Sequence, residues 1–207
     1  MNDPAARWLW LLRVIAVPLF WILGPIKTIG RYRVPREGGV LILANHLADV
    51  DPIVVQVASP RRIFFMAKHE LFEMKLLGRF MRWFKAFPVR RGEPDRQALK
   101  YAISLLKDGH PVCLFPEGQL SESGDLLPIL PGAALIIRQS GVPVICLGIK
   151  HTNLVMPYGS VIPRPCFRRI PAQWGEPHSF DRHATTEEIV GWIDGQLREL
   201  TDQSVED

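Results

Sequence analysis

VLILANHLADVDPIVVQVASP, residues 40–60, is the stretch from which the architecture follows. Val40-Leu41-Ile42-Leu43-Ala44 is a short continuous apolar run, the pattern of a strand buried on both faces of a sheet. Asp51-Pro52 reads as a helix start, with aspartate as cap and proline at the first helical position. The helix ends by Pro60. Between strand and helix stands Asn45-His46-Leu47-Ala48-Asp49-Val50. Loops at the carboxyl ends of strands in open α/β sheets are where ligands gather.

Downstream, apolar runs and helical patterns keep alternating. Strands are expected at Ile63–Ala67, Phe84–Val89, Pro111–Phe115 and Val142–Ile149, and helical character at Glu70–Trp83 and Gly132–Gln139. Pro94–Asp108 is the clearest helix. Ala98, Tyr101, Ala102 and Leu105 repeat at i, i+3, i+4 and i+7, and Gly109 closes it. Past residue 150 a proline-rich, basic text predicts short strands and turns. Thr185–Thr201 then forms a terminal helix striped by Ile189, Trp192, Ile193 and Leu197. The alternation predicts an α/β fold with a mostly parallel sheet sandwiched by helices.

The N-terminus differs in composition. Residues 8–29 read WLWLLRVIAVPLFWILGPIKTI, charged only at Arg13 and Lys27. A full span needs roughly 20 predominantly apolar residues, and Arg13 and Pro18 interrupt this run. An interfacial helix fits: Trp8, Trp10 and Trp21 suit the headgroup zone, with Arg7, Arg13 and Lys27 reaching lipid phosphates. Burial in a protein core and a true span are the alternatives. The chain therefore divides into a membrane-associating segment, residues 1–30, and a domain over residues 31–207.

Composition narrows the classes. Hydrophobic residues make up 47% of the 207, which supports a packed core and excludes a disordered chain. A net charge of +4 suits anionic partners such as lipid head groups and CoA phosphates. Nucleic acid is not expected. The three cysteines, Cys113, Cys146 and Cys166, have no metal-ligand spacing. Cys113 and Cys146 lie in apolar runs, as reduced buried thiols do, which implies a cytoplasmic setting.

Three motifs carry chemistry. His46 is a base for neutral pH, and a carboxylate on its far ring nitrogen would fix the tautomer and stabilise imidazolium. Asp51 is placed for this only if the chain turns before the helix begins, since residues five apart on a helix lie about 140° apart. Asp51 as a simple cap and Asp49 as the partner are the competing readings. Phe115-Pro116-Glu117-Gly118 sets a carboxylate at a strand end, able to accept from substrate hydroxyls, and a glycine that admits ligand close to backbone. A plain turn reads equally well. Phe87-Pro88-Val89-Arg90-Arg91-Gly92 offers arginines for a bidentate phosphate grip, or an exposed basic turn.

In this order the three motifs, followed by Val142-Pro143-Val144-Ile145, resemble the glycerolipid acyltransferase family, which contains the 1-acylglycerol-3-phosphate acyltransferases. Met66-Ala67-Lys68, Glu70-Leu71-Phe72 and Gly175-Glu176-Pro177 look like the family too. The resemblance spans about residues 34 to 177. It implies that His46 deprotonates an acceptor hydroxyl and Asp51 orients His46. Arg91 binds an acceptor phosphate, and Glu117 and Gly118 shape the acceptor site. The implied donor is acyl-CoA or acyl-carrier protein, a substrate rather than a cofactor, and no metal is needed. The implied acceptor is a lysophospholipid, 1-acylglycerol-3-phosphate first, at a membrane surface on the cytoplasmic face. The family's usual Thr-Arg-Ser after Phe-Pro-Glu-Gly is here Gln119-Leu120-Ser121, and no lysine follows in Leu130-Pro131-Gly132. Two cations are missing, which widens the expectation to other lysolipids or lipid hydroxyls. A catalytically silent lipid-surface protein is the competing class, and thioester turnover separates the two.

Overall fold

The protein is described by a computed structural model covering residues 4–90 and 95–202. β2 (Val40–Ala44), β5 (Pro111–Leu114) and β6 (Val144–Ile149) are buried at every position and form the centre of a seven-stranded sheet. Such strands, covered on both faces, need no polar alternation. β3 (Phe64–Lys68) and β4 (Ala86–Val89) extend the sheet on one side, and β7 (Ile170–Trp174) and β1 (Ile26–Ile29) on the other. The order is β1-β7-β6-β2-β5-β3-β4. All pairs are parallel except β6 with β7, so β7 and β1 run against the rest.

Helices cover both faces, as the alternation predicts. One face packs against α1 (Pro4–Leu23) and α2 (Asp51–Ala58). The other packs against α4 (Arg96–Lys107), α5 (Gly132–Ser140) and α7 (Thr186–Asp202). α3 (Lys75–Trp83) follows a short 3-10 turn on the β3–β4 side, and α6 (Thr152–Val155) follows β6. Asp95 caps α4 by accepting from the N–H groups of Gln97 and Ala98.

The N-terminal helix meets one of the sequence readings, burial in a protein core, along one of its stripes. α1 buries Trp8, Leu9, Leu12, Ala16, Phe20 and Leu23 in the core, so one stripe is an ordinary core helix. Its opposite stripe is equally apolar yet exposed: Trp10, Val14, Ile15, Val17, Trp21 and Ile22. Among the described residues no helix is long and apolar enough to cross a membrane. Arg13 corrects one expectation. Its guanidinium turns inward to the carbonyls of Val57 and Ser59 at the end of α2, where Arg31 also donates to Ser59 at 3.0 Å. The last carbonyls of a helix lack intrahelical donors, and two arginines supply them. Arg13 is therefore not a lipid-phosphate ligand. Above it, the Arg62 guanidinium sits 4.3 Å from the Trp8 ring centroid.

β1 is a strand that the apolar N-terminal run concealed. Gly24-Pro25 breaks α1, and the chain then joins the sheet edge beside β7.

Candidate active site

The loop between β2 and α2 brings His46 and Asp51 together. His46 Nδ1 lies 2.9 Å from Asp51 Oδ2. The same oxygen accepts the N–H groups of Leu47 at 2.6 Å and Ala48 at 2.8 Å. Asp51 is thus not the helix cap. Val50 holds that position, and Asp51 is the first helical residue with Pro52 behind it. Its carboxylate points back into the loop and gathers the turn that the i, i+5 spacing required. Asp49, the competing carboxylate, is exposed.

Asp51 is fully buried and His46 is 5% exposed. The carboxylate fixes Nδ1 as the protonated nitrogen, which leaves Nε2 with its lone pair as the available base. Phe115 stacks on the imidazole, centroids 3.9 Å apart and planes 15° from parallel. An apolar ring on one side and an anion at one nitrogen leave the imidazole little freedom to rotate. The N–H groups of Leu47 and Ala48 are spent on Asp51 and are not donors for an oxyanion.

Glu117 reaches the same loop from the end of β5. Its Oε1 accepts the N–H of His46 and its Oε2 that of Leu127, each at 2.8 Å. The side chain is buried, and burial pushes its carboxyl above the usual range against the pull of those two N–H groups. Each oxygen takes one backbone N–H, so Glu117 ties the loop of His46 to the chain after β5. Gly118 has φ +75°, and a Cβ there would stand 2.6 Å from Leu130 Cδ1. The turn therefore requires glycine.

Three further ties have no counterpart in the sequence reading. Asn45 exchanges two hydrogen bonds with the backbone of Ile149 on β6, at 2.9 and 2.7 Å. The His46 carbonyl accepts the N–H of Ser121 at 3.0 Å. Phe115 supplies the stacking ring. A signal for Asn45 exists: a polar residue ending a fully buried strand must find partners. Beyond Asn45 and Leu47 a cleft of about 330 Å³ opens, bordered by Lys150, His151, Asn153 and Arg198.

Arg91 lies outside the described residues. Its neighbour Arg90 is exposed, and the Arg90 N–H donates to Asp95 at 3.0 Å. Cys113 and Cys146 are buried free thiols, and burial pushes Cys146 up to about 12 and Cys113 higher still. Among the described residues no group of three or more His, Cys, Asp or Glu could hold a metal.

A family model described as Acyltransferase matches residues 25–150. The chain is 34% identical over 123 residues to a 1-acyl-sn-glycerol-3-phosphate acyltransferase of Bacillus subtilis (strain 168), covering 59% of this chain and 61% of that protein. It is 33% identical over 137 residues to the enzyme of that name from Streptococcus pneumoniae, covering 64% of this chain and 50% of the relative. The chain thus spans between half and two thirds of the length of these relatives. The crystal structure of the 1-acyl-sn-glycerophosphate acyltransferase PlsC from Thermotoga maritima superposes with a TM-score of 0.82 at 21% identity. That match covers all of this chain and 85% of that one, and it shows a shared fold.

Proposed function

The chain belongs to the Acyltransferase family, and from that premise we propose that it moves a fatty acyl group from acyl-CoA or acyl-carrier protein to the free hydroxyl of a lysophospholipid, in phospholipid synthesis. 1-Acylglycerol-3-phosphate heads the acceptors, as it does in the names of the relatives. The observation that carries the reading is the buried His46–Asp51 pair, whose Nε2 is left as a base at a strand end.

In the proposed reaction Nε2 takes the acceptor's hydroxyl proton as the hydroxyl oxygen attacks the thioester carbonyl. Asp51 stabilises the imidazolium through Nδ1–H. The tetrahedral adduct collapses, the C–S bond breaks, and the thiol leaves with the proton returned from Nε2. Transfer is direct, with no acyl-enzyme. Arg91 is assigned to the acceptor phosphate on its motif alone, and Glu117 and Gly118 to the loop walls of the site.

The exposed stripe of α1 supports monotopic contact with a membrane, while its buried stripe and β1 belong to the catalytic domain, so residues 1–30 are not a unit separate from residues 31–207. The thioester donors and the buried reduced thiols fit the cytoplasmic face. The deciding experiment is mass spectrometry of products from a panel of lysolipids offered with both donor types. Acylated lysolipid is the expected product. No acylated product from any pair would end the proposal.

A further inference from the structure

Residues 156–169, MPYGSVIPRPCFRR, join α6 to β7 where the sequence predicts turns. Most of their side chains are exposed, while Met156 and Cys166 pack partly against the core. Val161 is 86% exposed, Ile162 77% and Phe167 93%. A soluble surface scatters apolar residues singly, and a clustered set marks a contact. Arg164, Arg168 and Arg169 are exposed among them, and no carboxylate lies in the segment.

The projection is built in. Phe167 has φ +52°, a conformation disfavoured for a residue with a Cβ. The backbone on either side of it is tied to the end of α1. The Cys166 N–H donates to the Leu23 carbonyl at 2.7 Å, and the Ile170 N–H to that of Pro25 at 2.8 Å. Gly24 permits the approach: a Cβ there would meet Cys166 Sγ at 2.7 Å and the Arg168 carbonyl at 2.8 Å. The segment is therefore fixed against the same helix end that exposes Trp21 and Ile22.

Its position relative to chemistry follows from the register. Ala172 pairs with Ile149, whose N–H donates to Asn45, the neighbour of His46. Because β7 runs against β6, its entry lies at the catalytic edge of the sheet.

We propose that residues 156–169 form a second bilayer-contacting element beside α1. Phe167, Val161 and Ile162 enter the headgroup zone of an anionic membrane, and Arg164, Arg168 and Arg169 meet its phosphates. The inference rests on the proposed lipid acyltransferase reading. Two elements at one edge set the molecule's attitude, so that His46 faces the surface from which a lysolipid arrives. Charge complementarity and continuity with the α1 stripe favour a bilayer over an acidic protein.

The test is flotation of the full chain with phosphatidylglycerol and phosphatidylcholine vesicles. Arg164→Gln/Arg168→Gln/Arg169→Gln should weaken binding to phosphatidylglycerol roughly 100-fold, about fivefold per arginine, and erase the lipid preference. Phe167→Ala should weaken it about tenfold on both lipids, with melting temperature unchanged. Phe167→Trp, which keeps an aromatic ring, should gain quenching by brominated acyl chains over wild type. Variants that float as wild type, a Phe167→Trp chain that brominated lipid quenches no more than wild type, or a wild type that never floats would each overturn the proposal. So would an arginine variant that floats normally but loses affinity for acyl-carrier protein. A wild type that floats through this segment yet transfers no acyl group would sink the proposed function and support this inference.

Discussion

At the residue scale the loop of His46 is held by partners that each do one job, and substitutions should separate them. His46→Ala removes the base, and kcat should fall ~10²–10⁴-fold in a chain that still folds. Asp51→Asn can still place an oxygen against the N–H groups of Leu47 and Ala48. Its melting temperature should stay near wild type while kcat drops by at least ~10²-fold. Asp51→Ala leaves both buried N–H groups unpaired and should cost about 3 kcal/mol in denaturant unfolding. Glu117 predicts a pH effect with a definite sign. A carboxyl raised by burial contributes stability that is complete below the ordinary glutamate pKa and is lost as pH rises through the raised value. Relative to Glu117→Gln, which cannot titrate, wild type should lose melting temperature on going upward from about pH 4. A constant difference across that range would show that burial does not dominate. Arg91 is tested through the acceptor. Arg91→Ala should lower kcat/KM for lysophosphatidic acid more than for lysophosphatidylethanolamine, because a dianionic monoester gains more from a cation. The His46–Asp51 pair is legible in the sequence because the two residues are only five apart, joined by the short turn that leads into α2. The Glu117 contact is not, since it joins residues 71 apart in sequence, and no local pattern encodes a tertiary hydrogen bond.

At the element scale, sequence reading works where one environment rules the whole element. β2 is expected at Val40–Ala44 and is found there, because every residue in it is buried and nothing ambiguous flanks it. α4 follows its periodicity for another reason: Ala98, Ala102 and Leu105 go to the core together, although Tyr101, read on the same stripe, is exposed, and Asp95 caps its start. β1 escapes the reading because its apolar residues continue the composition of α1, and only Gly24-Pro25 marks the break. For α1 the sequence poses a choice between core and membrane surface; the inner face goes to the core, and the outer face is apolar and exposed. That division alters how the membrane contact should be probed. Deleting residues 1–29 would strip Trp8, Leu12, Phe20 and Leu23 from the core and remove β1. Loss of flotation would then be uninterpretable. Single changes on the two stripes are cleaner. Phe20→Ala on the inner stripe should cost about 3–5 kcal/mol of stability. Trp21→Ser with Ile22→Ser on the outer stripe should leave unfolding unchanged and weaken vesicle binding. An outer-stripe pair that destabilised the fold as much as Phe20→Ala would place that stripe against protein.

At the scale of the whole molecule, fold class is readable because strand and helix alternate along most of the chain, and that pattern admits few packings. The reversal of β7 and β1 is not readable. Direction depends on which connection crosses the sheet and which turns back, and neither the short α6 nor the loop after it encodes that choice locally. The apolar outer stripe of α1, with Val161, Ile162 and Phe167 near its end, gives the molecule an oily flank and with it the character of a surfactant. In water without lipid that flank will seek any boundary available, including air, plastic or another oily flank. Pendant-drop tensiometry should show the purified chain lowering the surface tension of buffer, and the Trp21→Ser/Ile22→Ser pair doing so more weakly. Detergent added to the bulk should abolish the difference by occupying the flank first.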